Sequence, residues 1–221
     1  RTGDHVHVLY QEQHVGNKKI STGDVAAAEV ITHGKTYRAI RYQDPQGHVG
    51  YYAPDGSSLQ TGFLRIPLRY THISSGYSLN RFDPVMHKTH AHPAIDFAAP
   101  QGTPIQAAAD GHISYRGPKN GYGNTVILHH HSNYATLYAH MCRFAQNVHL
   151  GSNVKKGQVI GYVGQTGMAT GPHLHYEFRA GNGVRYNPLT VALPKAAPLT
   201  GIARTRFLIQ AHVLLAQLHV A

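Results

Sequence analysis

The sequence has little cysteine, no long apolar run and no leader of its own. Its single cysteine, Cys142, excludes an internal disulfide and any zinc site built from several cysteines. No apolar run approaches the roughly 18 residues that a membrane-spanning helix needs, and no charged-then-apolar leader opens the chain. Because the sequence begins at Arg1 rather than at a methionine, we expect any signal or membrane anchor to lie upstream.

Acidic residues are also scarce. Ten Asp and Glu stand against twenty Lys and Arg, which gives a formal net charge of +10 and favours an anionic partner. No nucleic-acid-binding motif accompanies this charge, and no run of Lys and Arg exceeds two residues. We therefore expect no nucleic acid as partner and favour an anionic polymer such as a cell wall.

Histidine, by contrast, is abundant, with 19 residues. A pair such as the one in TGPHLHYEF, residues 170–178, can therefore arise by chance, and others stand at His5/His7, His90/His92 and His129/His131. The surroundings of a pair have to decide whether it forms a site.

Alternation along a strand supplies part of that context. Successive side chains of a strand point to opposite faces. His173, His175 and Glu177 should thus share a polar face, with residues 174, 176 and 178 on an apolar one.

Short runs rich in Val, Ile, Thr and Tyr, separated by Gly, Asn, Asp and Pro, predict a mainly β protein. We expect a small N-terminal β domain at residues 1–73 and an antiparallel β-sheet catalytic domain with an open groove at residues 74–193. A linker and a C-terminal helix follow at residues 194–221, where the apolar positions of GIARTRFLIQAHVLLAQLHVA fit one helix.

Two further stretches carry chemistry. In HPAIDFAAPQGTP, residues 92–104, His92 and Asp96 are four apart, a separation that keeps both on one face of an extended strand. In TLYAHM, residues 136–141, Tyr138 and His140 should share a face. Two imidazoles and one carboxylate form a three-ligand zinc set with an open fourth position. His90 has the same strand parity as His92, so spacing leaves it, with nearby His87, as a competing ligand.

These stretches carry a family resemblance. HPAIDFAAPQGTP, GYGNTVILHHHSNYATLYAHM, KKGQVIGYVGQTGMATGPHLHYEFR and the trailing NPL resemble the catalytic domain of the lysostaphin-type zinc metallopeptidases, which cleave peptide cross-links of peptidoglycan. The first third resembles the β domain that precedes this module in Gram-negative D,D-endopeptidases. Ala94 stands where the family commonly has Gly.

The resemblance implies one Zn²⁺ per chain, bound by His92, Asp96 and His175. It favours His92 over His90 as the ligand, and it implies that His140 and His173 are catalytic rather than ligating. One would be the general base and the other would stabilise the oxyanion or donate a proton, with the assignment open. Glu177 could orient a ligand or form a surface salt bridge.

Two glycine-rich loops, residues 117–124 and 164–171, are the expected walls of the substrate groove, since glycine lets a peptide approach the backbone. Within them we predict substrate contacts from Tyr122, Asn124 and Thr170. The expected substrate is the D-Ala to diaminopimelate cross-link in the periplasm or cell envelope of a Gram-negative bacterium.

Three other interpretations remain. A non-catalytic wall-binding member of the same fold would lack residues of the metal site, whereas all three expected ligands and both expected catalytic histidines are present here. A metal-sequestering or polymer-binding module would explain the 19 histidines and the charge, but not their places on alternating strands. Autoinhibition is the third, since the N-terminal domain leads directly into the site and could cover the groove.

Overall fold

The computed structural model describes residues 3–45, 47–83, 88–130 and 133–218. Contacts divide the chain into two compact units, residues 1–61 with 194–221, and residues 62–193. The predicted division after residues 73 and 193 stays a prediction. In the described part of the chain, no helix combines the length and apolar character that a bilayer crossing requires.

The first unit is an antiparallel sheet with one helix. Its strands lie in the order β1-β2-β3-β4. The elements are β1 His5–Val15, β2 Lys18–Thr32, β3 Lys35–Gln43, β4 Val49–Tyr52 and the helix α1 Gly201–Leu218.

The helix covers one face of this sheet. Phe207 is fully buried and lies edge-on or tilted against Tyr42 and Tyr52, with ring centroids 5.6 Å apart in both pairs. Ala27 and Ile40, which pair across β2 and β3, complete this small core. Alternation explains the arrangement, because every second residue of each strand points toward the helix. The predicted C-terminal helix is thus confirmed through Leu218, and residues 219–221 lie outside the described part.

The second unit is built on a ten-stranded sheet. Its main path runs β13-β10-β11-β12-β15-β8-β5, while β14 joins β12 to β9, β16 pairs with β15, and β6 and β7 form a separate hairpin. The strands are β5 His72–Ser75, β6 Ser78–Asp83, β7 Lys88–His92, β8 Ile95–Ala98, β9 Pro104–Gln106, β10 Gly111–Lys119, β11 Gly123–His130, β12 Tyr134–Phe144, β13 Asn153–Val154, β14 Val159–Val163, β15 His173–Ala180 and β16 Arg185–Tyr186. The expectation of a mainly antiparallel β protein is confirmed.

The core of this unit lies on one face of β15 and β8. Leu174, Tyr176 and Phe178 are buried in it, as the alternation along β15 predicts, and Ile95 and Phe97 join them from β8. The opposite face of the same strands is therefore left to carry polar side chains.

Candidate metal centre and catalytic residues

Three strands contribute the three predicted metal ligands. His92 ends β7, Asp96 lies in β8, and His175 lies in β15. The register pairs His175 directly with Asp96. The sequence suggested a single extended strand for His92 and Asp96, but Pro93 and Ala94 separate β7 from β8, so the two residues belong to different strands.

The donor atoms of these residues face one another. Nε2 of His92 is 3.1 Å from Oδ2 of Asp96, and Nδ1 of His175 is 2.9 Å from Oδ1. One donor atom from each residue lies within 4.8 Å of the others, which makes this the one group in the described part of the chain with metal-binding geometry. Two imidazoles and one carboxylate are a donor set that zinc accepts.

The second ring nitrogen of each of the two histidines contacts an oxygen atom on the side away from Asp96. Nδ1 of His92 donates to the carbonyl oxygen of Gly76 at 3.0 Å, and Nε2 of His175 lies 3.1 Å from Oε1 of Glu177. Partners of this kind fix ring orientation in metal sites. Each histidine therefore directs its other ring nitrogen toward Asp96, and the residues fit a zinc ion.

The charges point the same way. Burial raises the pKa of Asp96, but hydrogen bonds from His175 and His92 outweigh it and hold that pKa well below its ordinary value. Burial lowers the pKa of His175, but hydrogen bonds with Asp96 and Glu177 reverse the effect and raise it. Both pKa shifts show that the space between the carboxylates of Asp96 and Glu177 favours positive charge.

His140 and His173 lie beside this centre, with ring centroids 4.7 Å apart. Nδ1 of His140 donates to the carbonyl oxygen of Thr166 at 2.7 Å, and Nδ1 of His173 donates to that of Gly171 at 2.8 Å. Because a carbonyl oxygen can only accept, each neutral ring carries its proton on Nδ1 and leaves Nε2 as an acceptor. Burial lowers the pKa of His140, which favours the neutral form.

The backbone brings His140 to this face against the strand alternation. The sequence predicted that Tyr138 and His140 share a face, yet Tyr138 is buried in the core and His140 contacts His173. That prediction was wrong, because the register between β11 and β12 shifts after Tyr138 and His140 adopts a left-handed φ of 61°. The amide of His140 donates to the carbonyl oxygen of Tyr122, which fixes the turned backbone.

An open cavity of about 420 Å³ surrounds these residues. Its lining includes all five predicted metal-binding and catalytic residues, together with Tyr122 and Thr170. Asn124 is not part of this lining, since its side-chain amide donates to the carbonyl oxygen of Met141. The structure thus brings two of the three predicted substrate contacts to the cavity and gives Asn124 a role in holding β11 to β12.

Part of the chain matches a known protein family. The sequence profile of Peptidase family M23 matches residues 90–188, which contain all five predicted metal-binding and catalytic residues. Residues 90–188 of the chain belong to peptidase family M23.

Two curated proteins resemble most of this M23 chain. The DD-carboxypeptidase/endopeptidase Mpg of Neisseria meningitidis serogroup B is 44% identical over 199 residues, which are 88% of this chain and 45% of Mpg. The peptidoglycan DD-endopeptidase ShyC of Vibrio cholerae is 42% identical over 211 residues, or 96% of this chain and 47% of ShyC. The chain spans about half the length of the curated relatives it matches.

A solved structure shows the same fold. A zinc-containing peptidase from Vibrio cholerae superimposes with a TM-score of 0.58 at 30% identity, covering 86% of this chain and 57% of that one. The M23 family consists of zinc metallopeptidases, in agreement with the donor set formed by His92, Asp96 and His175.

Three residues near His92 bear on the M23 motif. Ala94 stands where glycine was expected, but it is fully buried and is not among the non-glycine residues with positive φ in the described chain, so its backbone is unstrained. Of the competing ligands, His87 lies outside the described residues, and the structure describes His90 only as part of the β7 backbone.

Glu177 is more than the surface salt bridge that the sequence allowed. It is 1% exposed and accepts a hydrogen bond from the hydroxyl of Tyr122 at 2.8 Å as well as contacting His175. Burial raises its pKa, but the hydrogen bond from His175 and the charge of Arg179 lower it to about 2. The carboxylate therefore stays ionised behind His175.

Arg185 is a cavity residue that sequence reasoning missed. The tight turn at Asn182–Gly183 joins β15 to β16 and pairs Arg185 with Arg179 across the hairpin. The Asn-Gly signal for this turn was visible in the sequence. Counting three residues in each direction from Asn182 gives Arg179 and Arg185 as the pair, and Arg179 is two residues from Glu177 on the same strand.

Proposed function

We propose that this chain is a zinc-dependent endopeptidase that hydrolyses peptide cross-links of bacterial peptidoglycan, at the bond between D-Ala and diaminopimelate. The observation that carries the proposal is a triad with metal-binding geometry beside two histidines, each donating from Nδ1 to a backbone carbonyl oxygen, in one open cavity. The names of the relatives Mpg and ShyC, both DD-endopeptidases of Gram-negative bacteria, support the substrate.

In this proposal, His92, Asp96 and His175 hold the zinc, each oriented by the contacts described above. Zinc, when bound, supplies Lewis acidity that polarises a carbonyl group and makes water a better nucleophile at neutral pH. Glu177 keeps the ring of His175 in place, and Gly76 does the same for His92. These partners pre-organise the site, so little reorganisation accompanies substrate binding.

Proton transfer falls to His140 and His173. Their Nε2 atoms can accept a proton from the attacking water and donate one to the leaving amine. The carbonyl oxygens of Thr166 and Gly171 accept from Nδ1 and would stabilise each ring in its protonated form. Because Nδ1 of each ring donates to a backbone carbonyl oxygen, the two residues are equivalent in this respect, and the roles of general base and proton donor belong to the pair.

The substrate lies in the cavity between the loops at residues 117–124 and 164–171. Tyr122 and Thr170 line it, and Met168, which is 85% exposed, forms an outer apolar edge. We propose the periplasm or cell envelope as the site of action, where peptidoglycan is found. Autoinhibition by residues 1–73 and an anchor upstream of Arg1 stay predictions.

The test is digestion of purified, cross-linked Gram-negative peptidoglycan by the zinc-loaded chain. Chromatography and mass spectrometry would follow dimeric and monomeric fragments. We expect conversion of dimers to monomers, abolished by a chelator and by His173→Ala, while His129→Ala, which removes an exposed histidine on β11, behaves as wild type. Cleavage of a glycine-bridged wall alone would overturn the assigned bond, and no cleavage of either wall would overturn the activity.

A further inference from the structure

Arg185 places a positive charge in the lining of the cavity. Its Nε lies 2.8 Å from Oε2 of Glu177, although this buried nitrogen lacks the alignment of a hydrogen bond. The side chain is 38% exposed, and the contact with Glu177 runs through Nε rather than through a terminal nitrogen. The two terminal nitrogens are not needed for this contact and can donate to a ligand.

Glu177 does not require this second arginine. Arg179 already contacts Oε2 through Nε at 2.6 Å and through a terminal nitrogen at 2.5 Å. One carboxylate between two guanidinium groups leaves a surplus positive charge at this point. An uncompensated charge that is half removed from water is costly, which favours an anionic group as its partner.

The position of this charge relative to the metal centre is defined by a chain of contacts. Arg185 contacts Glu177, Glu177 contacts His175, and His175 contacts Asp96. Only one carboxylate thus separates the guanidinium from the ring of a proposed zinc ligand. A charged group on the substrate next to the scissile bond would lie within reach of Arg185.

The cross-link under consideration has such a group. In a D-Ala to diaminopimelate bond, the carbon attached to the scissile nitrogen carries a free carboxylate. A terminal D-Ala on a stem peptide carries its carboxylate at the equivalent place, whereas the carboxyl group of a glycine inside a bridge is part of the next amide bond and carries no charge. The planar guanidinium group matches a carboxylate with two parallel donors.

We propose that Arg185 binds the carboxylate on the leaving-amine side of the scissile bond and thereby selects D,D cross-links over glycine bridges. This inference rests on the proposed function and adds the group that determines its specificity. Arg185 would contact the substrate through its terminal nitrogens, while Nε stays against Glu177.

A purely structural role makes a different prediction. If Arg185 served only to hold Glu177, its loss would disturb His175 and slow the hydrolysis of every substrate alike. Arg179 provides the matched control, because it contacts the same oxygen of Glu177 but does not line the cavity.

The experiment uses two synthetic cross-linked peptides, one with the free diaminopimelate carboxylate and one with that group as a primary amide. For the wild type we expect kcat/KM to be about 10- to 100-fold higher on the carboxylate substrate, as for a lost hydrogen bond to a charged group. Arg185→Gln should erase this preference while metal analysis still finds one zinc per chain. Arg185→Lys, which keeps the charge but not the fork, should retain part of it.

Arg179→Gln should lower both rates by the same factor and keep the preference. Equal wild-type rates on the two peptides, or an Arg185→Gln variant that loses both activities equally, would overturn the inference. Isothermal titration of both peptides into His173→Ala, with and without Arg185→Gln, separates the two proposals. If the wild type cleaves neither peptide, the proposed function fails. The inference about Arg185 is still supported if the carboxylate peptide binds more tightly than the amide peptide and if Arg185→Gln removes this difference. Equal binding of the two peptides rejects the inference.

Discussion

Asp96 lies directly across the sheet from His175, with Oδ1 of the carboxylate 2.9 Å from Nδ1 of the ring. The main-chain ladder between β8 and β15 fixes this pair, so the two donors are held by the sheet rather than by a loop. His92 approaches from the end of the β6-β7 hairpin and completes the set.

Asp96→Asn should remove zinc binding and activity together, because an amide is a far weaker zinc ligand than a carboxylate. Zinc at about 1,000 times its dissociation constant should raise the melting temperature of the wild type by several degrees, as expected from about 4 kcal/mol of binding energy. The variant should show no zinc-dependent shift in differential scanning calorimetry. Asp24→Asn, at an exposed carboxylate of the first unit, should respond to zinc as the wild type does.

Glu177→Gln should weaken zinc binding by about 10- to 100-fold, as is typical when a partner behind a metal-bound histidine is lost. The change keeps the shape of the side chain but removes the negative charge that contacts Nε2 of His175. Competition with a chromophoric chelator measures the affinity, and Glu12→Gln, at a carboxylate of the first unit paired with Lys19, is the control. Unchanged zinc affinity in the Gln variant would refute the orienting role.

His130 should make folding stability sensitive to acid. Its ring is buried, with Nδ1 donating to the carbonyl oxygen of Asp110 and Nε2 facing the hydroxyl of Thr136 at 2.7 Å, and burial lowers its pKa to about 4. The unfolded chain, with a pKa near 6.5, then binds more protons between these values, so stability falls as pH drops from about 6.5 to about 4, by at most about 3 kcal/mol.

Urea denaturation at pH 7.5 and pH 5 would measure this loss. His130→Asn should be less stable than the wild type at pH 7.5, but it should lose less stability between the two pH values. The exposed neighbour His129 supplies the control, since His129→Asn should keep the wild-type pH dependence. A variant at 130 with an undiminished acid response would contradict the prediction.

Gly167→Ala should destabilise the loop that supports His140. Gly167 has a φ of 76°, and an added Cβ would lie 2.4 Å from the backbone nitrogen of Gly123. The strain of a left-handed alanine is about 1–3 kcal/mol, and the clash would displace Thr166, whose carbonyl oxygen holds Nδ1 of His140. Gly171→Ala is the matched control in the same loop, because nothing lies within 4 Å of its added Cβ. Equal stability and equal activity of the two variants would disprove the predicted role of Gly167 in supporting His140.

Local periodicity was enough to predict the faces of β15. Burial of Leu174, Tyr176 and Phe178 follows from alternation alone, which left His173 and His175 on the other face. The same alternation explains why Ile95 and Phe97, which flank Asp96 in the sequence, lie in the core. Where a strand is regular, residue spacing carries the three-dimensional arrangement.

The failures occur where contacts distant in sequence determine the backbone. His140 departs from the alternation because Tyr122 accepts from its amide and Thr166 holds its ring, and neither partner lies in its own strand. Arg185 reaches the cavity through a hairpin whose register was not worked out from the sequence. The two functional surprises thus arise from pairing between strands rather than from motif content.

The left-handed backbone at His140 also limits how this site can be transplanted. Copying the five side chains onto another antiparallel sheet would reproduce His173 and His175 from alternation, but would send the imidazole of His140 into the interior. A designer would need to carry over the corner of β12 together with the two loops that brace it. The smallest portable unit of this catalytic apparatus is therefore a piece of folded backbone, and a list of residues is not sufficient to specify it.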